Sequence, residues 1–197
     1  MENQKSSFAQ TNAFAMQYGA LLGLWGIASL AFWVLSFRYP FLSWLSNVLM
    51  IGSPIFAGYL TALFRRNVMI PELGFSFGRG FGYTFMMGIY ATLWVALAVF
   101  VYLAYLDNGF LFDSFEKMLT QPDVVAALRE TGTWEMMLRE VGSPEKLVNV
   151  YRSISPGQYA GIIIYLSLLV APFISVVIGL VCRKSGNGWV MPRVDNK

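Results

Sequence analysis

The chain has 197 residues, 56% of them hydrophobic and only 13% charged, a balance that excludes an ordinary soluble domain. It has no histidine and a single cysteine, Cys182, which removes the commonest metal ligand and general base and rules out an intramolecular disulfide or a cysteine-rich metal site. The formal net charge of +3 is carried at the ends of apolar segments, where membrane topology accounts for it, and gives no reason to expect nucleic acid.

Residues 1–12 are polar and short. The first apolar segment, about 13–37, is longer than the ~7–15 residues of a signal-peptide core and reads as a membrane span. Gly19, Gly23 and Gly26 place small residues on one face, where a second helix backbone can approach closely. A homodimer is the sharper use of that face, and contact with another span of the same chain is the commoner one. Arg38-Tyr39-Pro40 is a tight connection into the second span, about 41–64, in which Pro54 deletes one backbone hydrogen bond and predicts a bend. Arg65 and Arg66 end that span. Together with Arg79 they are candidates for contact with anionic lipid head groups.

The glycine-rich string from Gly74 to Gly82 lacks the Lys-Ser/Thr ending of a phosphate loop, and Gly78 and Gly82 are read as helix-packing positions. The third span, about 80–106, holds 27 uncharged residues. At about 1.5 Å per residue it reaches roughly 40 Å, more than the ~30 Å of a bilayer core.

Residues 107–152 carry five basic and eight acidic side chains and repeat a helical spacing of apolar residues. The clearest instance is Trp134, Met137, Leu138 and Val141, at i, i+3, i+4 and i+7. Ser143-Pro144 caps a further short helix. Such helices are too short to stand alone in water. Their stripes must dock as a lid on the span ends, which is the ordinary fate, lie in the lipid interface, or offer a groove to another protein. Ser155-Pro156 opens the fourth span, about 157–182, with Pro172 as a second predicted bend, and residues 183–197 form a basic tail.

The amino terminus, the 65–79 loop and the tail hold eight Lys and Arg between them, against Arg38 alone in the other short loop. This asymmetry predicts cytoplasmic termini and an outward-facing 107–152 insertion. No Asp, Glu, Lys, Arg or His lies within the spans, so ion-coupled transport and intramembrane proteolysis lack their usual groups. Asp107, Asp113 and Glu116 leave only an interfacial acid–base group to consider.

Three features in order, the entry Gly74-Phe75-Ser76-Phe77-Gly78-Arg79-Gly80-Phe81, the insertion with Met118, Leu119, Met136 and Met137, and Ser155-Pro156-Gly157 leading to Arg183-Lys184, give a layout across nearly the whole chain. It resembles the small four-span inner-membrane proteins of Bacteroidetes grouped as a domain of unknown function, family 4199. The resemblance implies a bacterial inner membrane and brings no catalytic residues.

The expected protein is all-α and integral to the membrane, one domain over 1–197, with four transmembrane helices as two hairpins and a short-helix extracytoplasmic insertion between helices 3 and 4. Its expected role is non-enzymatic, without cofactor, metal or catalytic residues: binding a membrane or periplasmic protein through the insertion. The alternative is a small permease or lipid-binding protein with a cavity shaped by the bends at Pro54 and Pro172.

Overall fold

The computed structural model describes residues 8–68 and 74–184; the first seven residues, part of the loop after the second span and the tail from 185 lie outside it. In chain order the helices are α1 (Phe8–Ser36), α2 (Leu42–Val68), α3 (Phe77–Val101, continued by a π-turn at Tyr102–Leu106), α4 (Phe110–Leu119), α5 (Pro122–Glu130), α6 (Thr133–Glu140), α7 (Pro144–Ser153) and α8 (Pro156–Cys182). Four of them, α1, α2, α3 with its π-turn, and α8, are long and apolar enough to cross a membrane. Their outward faces carry residues such as Ile55, Phe173 and Val181, each more than 70% exposed. An apolar shell of that extent belongs to a protein whose solvent is hydrocarbon.

Local chemistry explains the helix starts. Ser155 accepts from the Gln158 amide at 3.3 Å while the Gln158 side chain accepts from the Ser155 amide at 2.9 Å, a reciprocal capping box with Pro156 at the first helical position. Ser76 accepts from the Arg79 amide at the start of α3, and Ser143 from Lys146 at the start of α7. Between α5 and α6 the chain reverses at Gly132, whose φ of 71° is open to glycine at little cost.

Helix α3 is central. It packs along α1 on one side and α8 on the other, α2 packs on α1, and α2 and α8 meet only sparsely. The α1–α3 seam is built from the three glycines of α1. A Cβ at Gly19 would lie 2.6 Å from Tyr90 Cβ, one at Gly23 2.7 Å from Trp94 Cβ, and one at Gly26 2.8 Å from Val95 Cγ2. The small face of α1 is therefore filled within its own chain. Gly78 and Gly82 differ from the sequence expectation, since both have nothing within 4 Å of a built Cβ. The close approach falls on Gly80, where a Cβ would lie 3.1 Å from Gly179 Cα, because residues two apart on a helix are turned about 200° from each other and cannot share a packing face.

Hydrogen bonds between side chains and backbone tie α1 to α2. Ser29 Oγ donates to Ser46 O (3.2 Å), Ser46 Oγ donates to Ser29 O (3.0 Å), and Trp25 Nε1 donates to Leu49 O (2.8 Å). In a medium without water such bonds have few competitors.

Candidate ligand cavity between the spans

The two ends of the bundle are closed differently. At the end carrying the Arg and Lys residues, Phe64 and Tyr83 stack with ring centroids 3.8 Å apart, over a buried cluster that includes Leu60, Phe75, Met87, Ile178 and Cys182. Arg65 Nη1 donates to the Cys182 carbonyl at 2.7 Å, satisfying an otherwise orphaned acceptor at the negative end of α8. Phe75 and Lys184 exchange two backbone hydrogen bonds of 2.8 and 2.9 Å. These contacts join α2, the start of α3 and the end of α8.

At the opposite end, α4 and α7 pack on each other around Leu119 and Val148, both buried. Arg152 bonds Asp113 at 2.6 Å, and Tyr159 Oη donates to Tyr151 O at 2.8 Å, fastening the pair to the start of α8. Asp107 is 4% exposed and its Oδ1 accepts from the Leu111 amide at 2.9 Å. Its carboxylate caps α4, and that of Asp113 is engaged by Arg152. Helices α5 and α6 have no buried residue.

Between these ends, α2 and α8 part and leave a cavity of about 400 Å³ walled by all four spans. That volume is in the range of small-molecule sites. Leu22 and Gly26 of α1, Ser53, Pro54 and Ala57 of α2, Thr84, Gly88, Ala91, Thr92 and Val95 of α3, and a run of α8 from Ile163 to Ser175 border it. No side chain on this wall is ionisable.

The back wall follows a rule of spacing. Gly80 lies against Gly179, and a Cβ at Gly88 would sit 3.9 Å from Ala171 Cβ. Steps of four residues up α3 and down α8 then place Thr84 level with Ser175 and Thr92 level with Ser167. Each helix thus presents a small residue at every fourth position, Gly80, Thr84, Gly88 and Thr92 facing Gly179, Ser175, Ala171 and Ser167. Gly80 and Gly179 are in close contact, and over the other three levels the small residues border the cavity instead of filling it.

Two hydroxyls on this wall, those of Thr84 and Ser53, have defined partners. Thr61 Oγ1 donates to Ala57 O at 2.9 Å and lies 2.9 Å from Thr84 Oγ1. Ser53 Oγ donates to Leu49 O at 3.0 Å. That carbonyl, five residues before Pro54, also receives the Trp25 indole.

The residues singled out from sequence are distributed as follows. Pro54 borders the cavity, and Pro172 follows Ala171 on the α8 wall. Gly19, Gly23 and Gly26 lie in the α1–α3 seam, with Gly26 also touching the cavity. Arg66 and Arg79 are exposed at the basic end, whereas Arg65 is turned to Cys182. Trp134, Met137 and Val141 are half-buried and Leu138 is exposed, far along the chain from the cavity. Sequence reasoning missed Ser53, Thr61, Thr84, Gly88, Thr92, Ser167, Ala171 and Ser175. The signal that finds the wall is the paired run of small residues at intervals of four in α3 and α8.

Four helices long and apolar enough to cross a membrane, each bordering the same partly open apolar cavity, define a multi-pass membrane protein. The chain belongs to the family described as Protein of unknown function (DUF4199), whose model matches residues 14–184. No curated protein and no solved structure matches it.

Proposed function

We propose that the protein holds a lipophilic molecule within the membrane, in the cavity between α2 and α8. The observation that carries this reading is the cavity itself, about 400 Å³ with walls from all four spans and no ionisable group. Such a site receives hydrocarbon without desolvating a charge, and its gap between α2 and α8 lies along the spans, where lipid chains are the surrounding solvent. On the positive-inside argument the Arg65 end faces the cytoplasm, in keeping with a bacterial inner membrane, and the α4–α7 insertion faces outward as a cover over the span ends. The test is native mass spectrometry of gently extracted protein. A retained lipophilic molecule is expected on the natural protein and lost from Gly88→Leu, whose side chain would enter the cavity. Equal retention by both proteins would overturn the assignment.

A second reading, binding of a membrane or periplasmic protein through the insertion, draws on α6, where Met136 is 60% and Leu138 39% exposed on a helix pair without buried residues. Replacing Trp134, Met136 and Leu138 with alanine is expected to abolish co-purification of such a partner while leaving insertion and ligand retention intact. Undiminished recovery of the partner would contradict it.

A further inference from the structure

The directions of the hydrogen bonds around the cavity restrict what it accepts, on the reading that it holds a lipophilic ligand. A carbonyl oxygen only accepts, so the single proton of Thr61 Oγ1 goes to Ala57 O, 2.9 Å away. The 2.9 Å contact between Thr61 and Thr84 is then donated by Thr84. Its proton is spent away from the cavity, and Thr84, which borders the cavity, presents lone pairs alone. Ser53, on the α2 wall, is in the same state because its proton goes to Leu49 O. Across the seam, Ser175 and Ser167 border the same space with hydroxyls that both donate and accept.

A pure hydrocarbon gives the Ser175 and Ser167 hydroxyls no acceptor, and an ester or ether offers Thr84 and Ser53 no proton. An ammonium or carboxylate brings a charge that no group on the wall neutralises. A free hydroxyl meets both walls, donating to Thr84 and accepting from Ser175, which stands level with it on α8.

We propose that the ligand is an uncharged lipid with a free hydroxyl, of the class of long-chain or isoprenoid alcohols and partially acylated glycerols, and that Thr84 Oγ1 accepts its proton. The experiment titrates the detergent-solubilised full chain with octadecanol and with octadecyl methyl ether, read by native mass spectrometry. The alcohol is expected to bind roughly three- to twentyfold more tightly than the ether, the range for one hydrogen bond made within a membrane protein. The preference should vanish in Thr84→Val and return in Thr84→Ser, which restores the oxygen and shows that the fold survives substitution there. Equal binding of alcohol and ether, with both blocked by Gly88→Leu, overturns the hydroxyl assignment and leaves the cavity reading standing. Binding of both probes untouched by Gly88→Leu overturns the cavity reading as well.

Discussion

The two seams of α3 use small residues to opposite effect. Against α1, Gly19, Gly23 and Gly26 each face a larger side chain, Tyr90, Trp94 or Val95, at Cβ distances of 2.6–2.8 Å, and the seam is sealed. Against α8, the Gly80–Gly179 level is also closed, but at the next three levels small residues face small ones and border the cavity as its back wall. The same residue type therefore marks a tight contact or a vacancy depending on what stands opposite. Sequence periodicity on a single helix does not distinguish the two.

The sharpest way to break this comparison is to put one side chain into each seam. Gly23→Leu would drive a side chain into Trp94 and the Ala91 carbonyl, the latter 3.2 Å from a Cβ. A loss of about 3 kcal/mol is expected, the upper part of the overpacking range, read as unfolding in a detergent and denaturant titration. Gly88→Leu, with only Ala171 Cβ nearby at 3.9 Å, is expected to be neutral or stabilising by up to about 1 kcal/mol, as cavity filling commonly is. Equal destabilisation by the two substitutions would remove the distinction between the seams. The smallest effect is expected at Tyr83. It is 1% exposed, and among the described residues its hydroxyl has no hydrogen-bond partner. Tyr83→Phe keeps the stack on Phe64 and removes an unsatisfied group, so stability should hold or rise by up to about 1 kcal/mol. A marked loss would reveal a partner for that hydroxyl.

The long helices were readable from the sequence because each is an uncharged run closed by Arg, Lys or Asp. The start of α8 was written in Ser155-Pro156. The short helices of 107–152 followed from the spacing of Leu119, Val148 and their neighbours. The cavity wall was not readable by the same means, since Gly78-Arg79-Gly80-Phe81-Gly82 drew attention to alternate glycines, and only Gly80 lies on the α8 face. Its continuation through Thr84, Gly88 and Thr92 gains meaning only beside Ser167, Ala171, Ser175 and Gly179, some eighty residues later. Arg65 shows a related limit. A basic residue at a span end reads as a lipid contact, but its guanidinium reaches Cys182 O, which depends on α2 and α8 converging at that end. Asp107 looked available for chemistry at the interface, and burial beside the Leu111 amide makes it a helix cap.

The most direct test of the account is photolabelling of the membrane-embedded protein with a diazirine-bearing long-chain alcohol, followed by peptide mapping. The account predicts labels concentrated on cavity residues such as Ser53, Ala57, Ala91 and Ile174, and their loss in Gly88→Leu. Labels spread over the outward faces around Ile55, Phe173 and Val181, unchanged by that substitution, would contradict it.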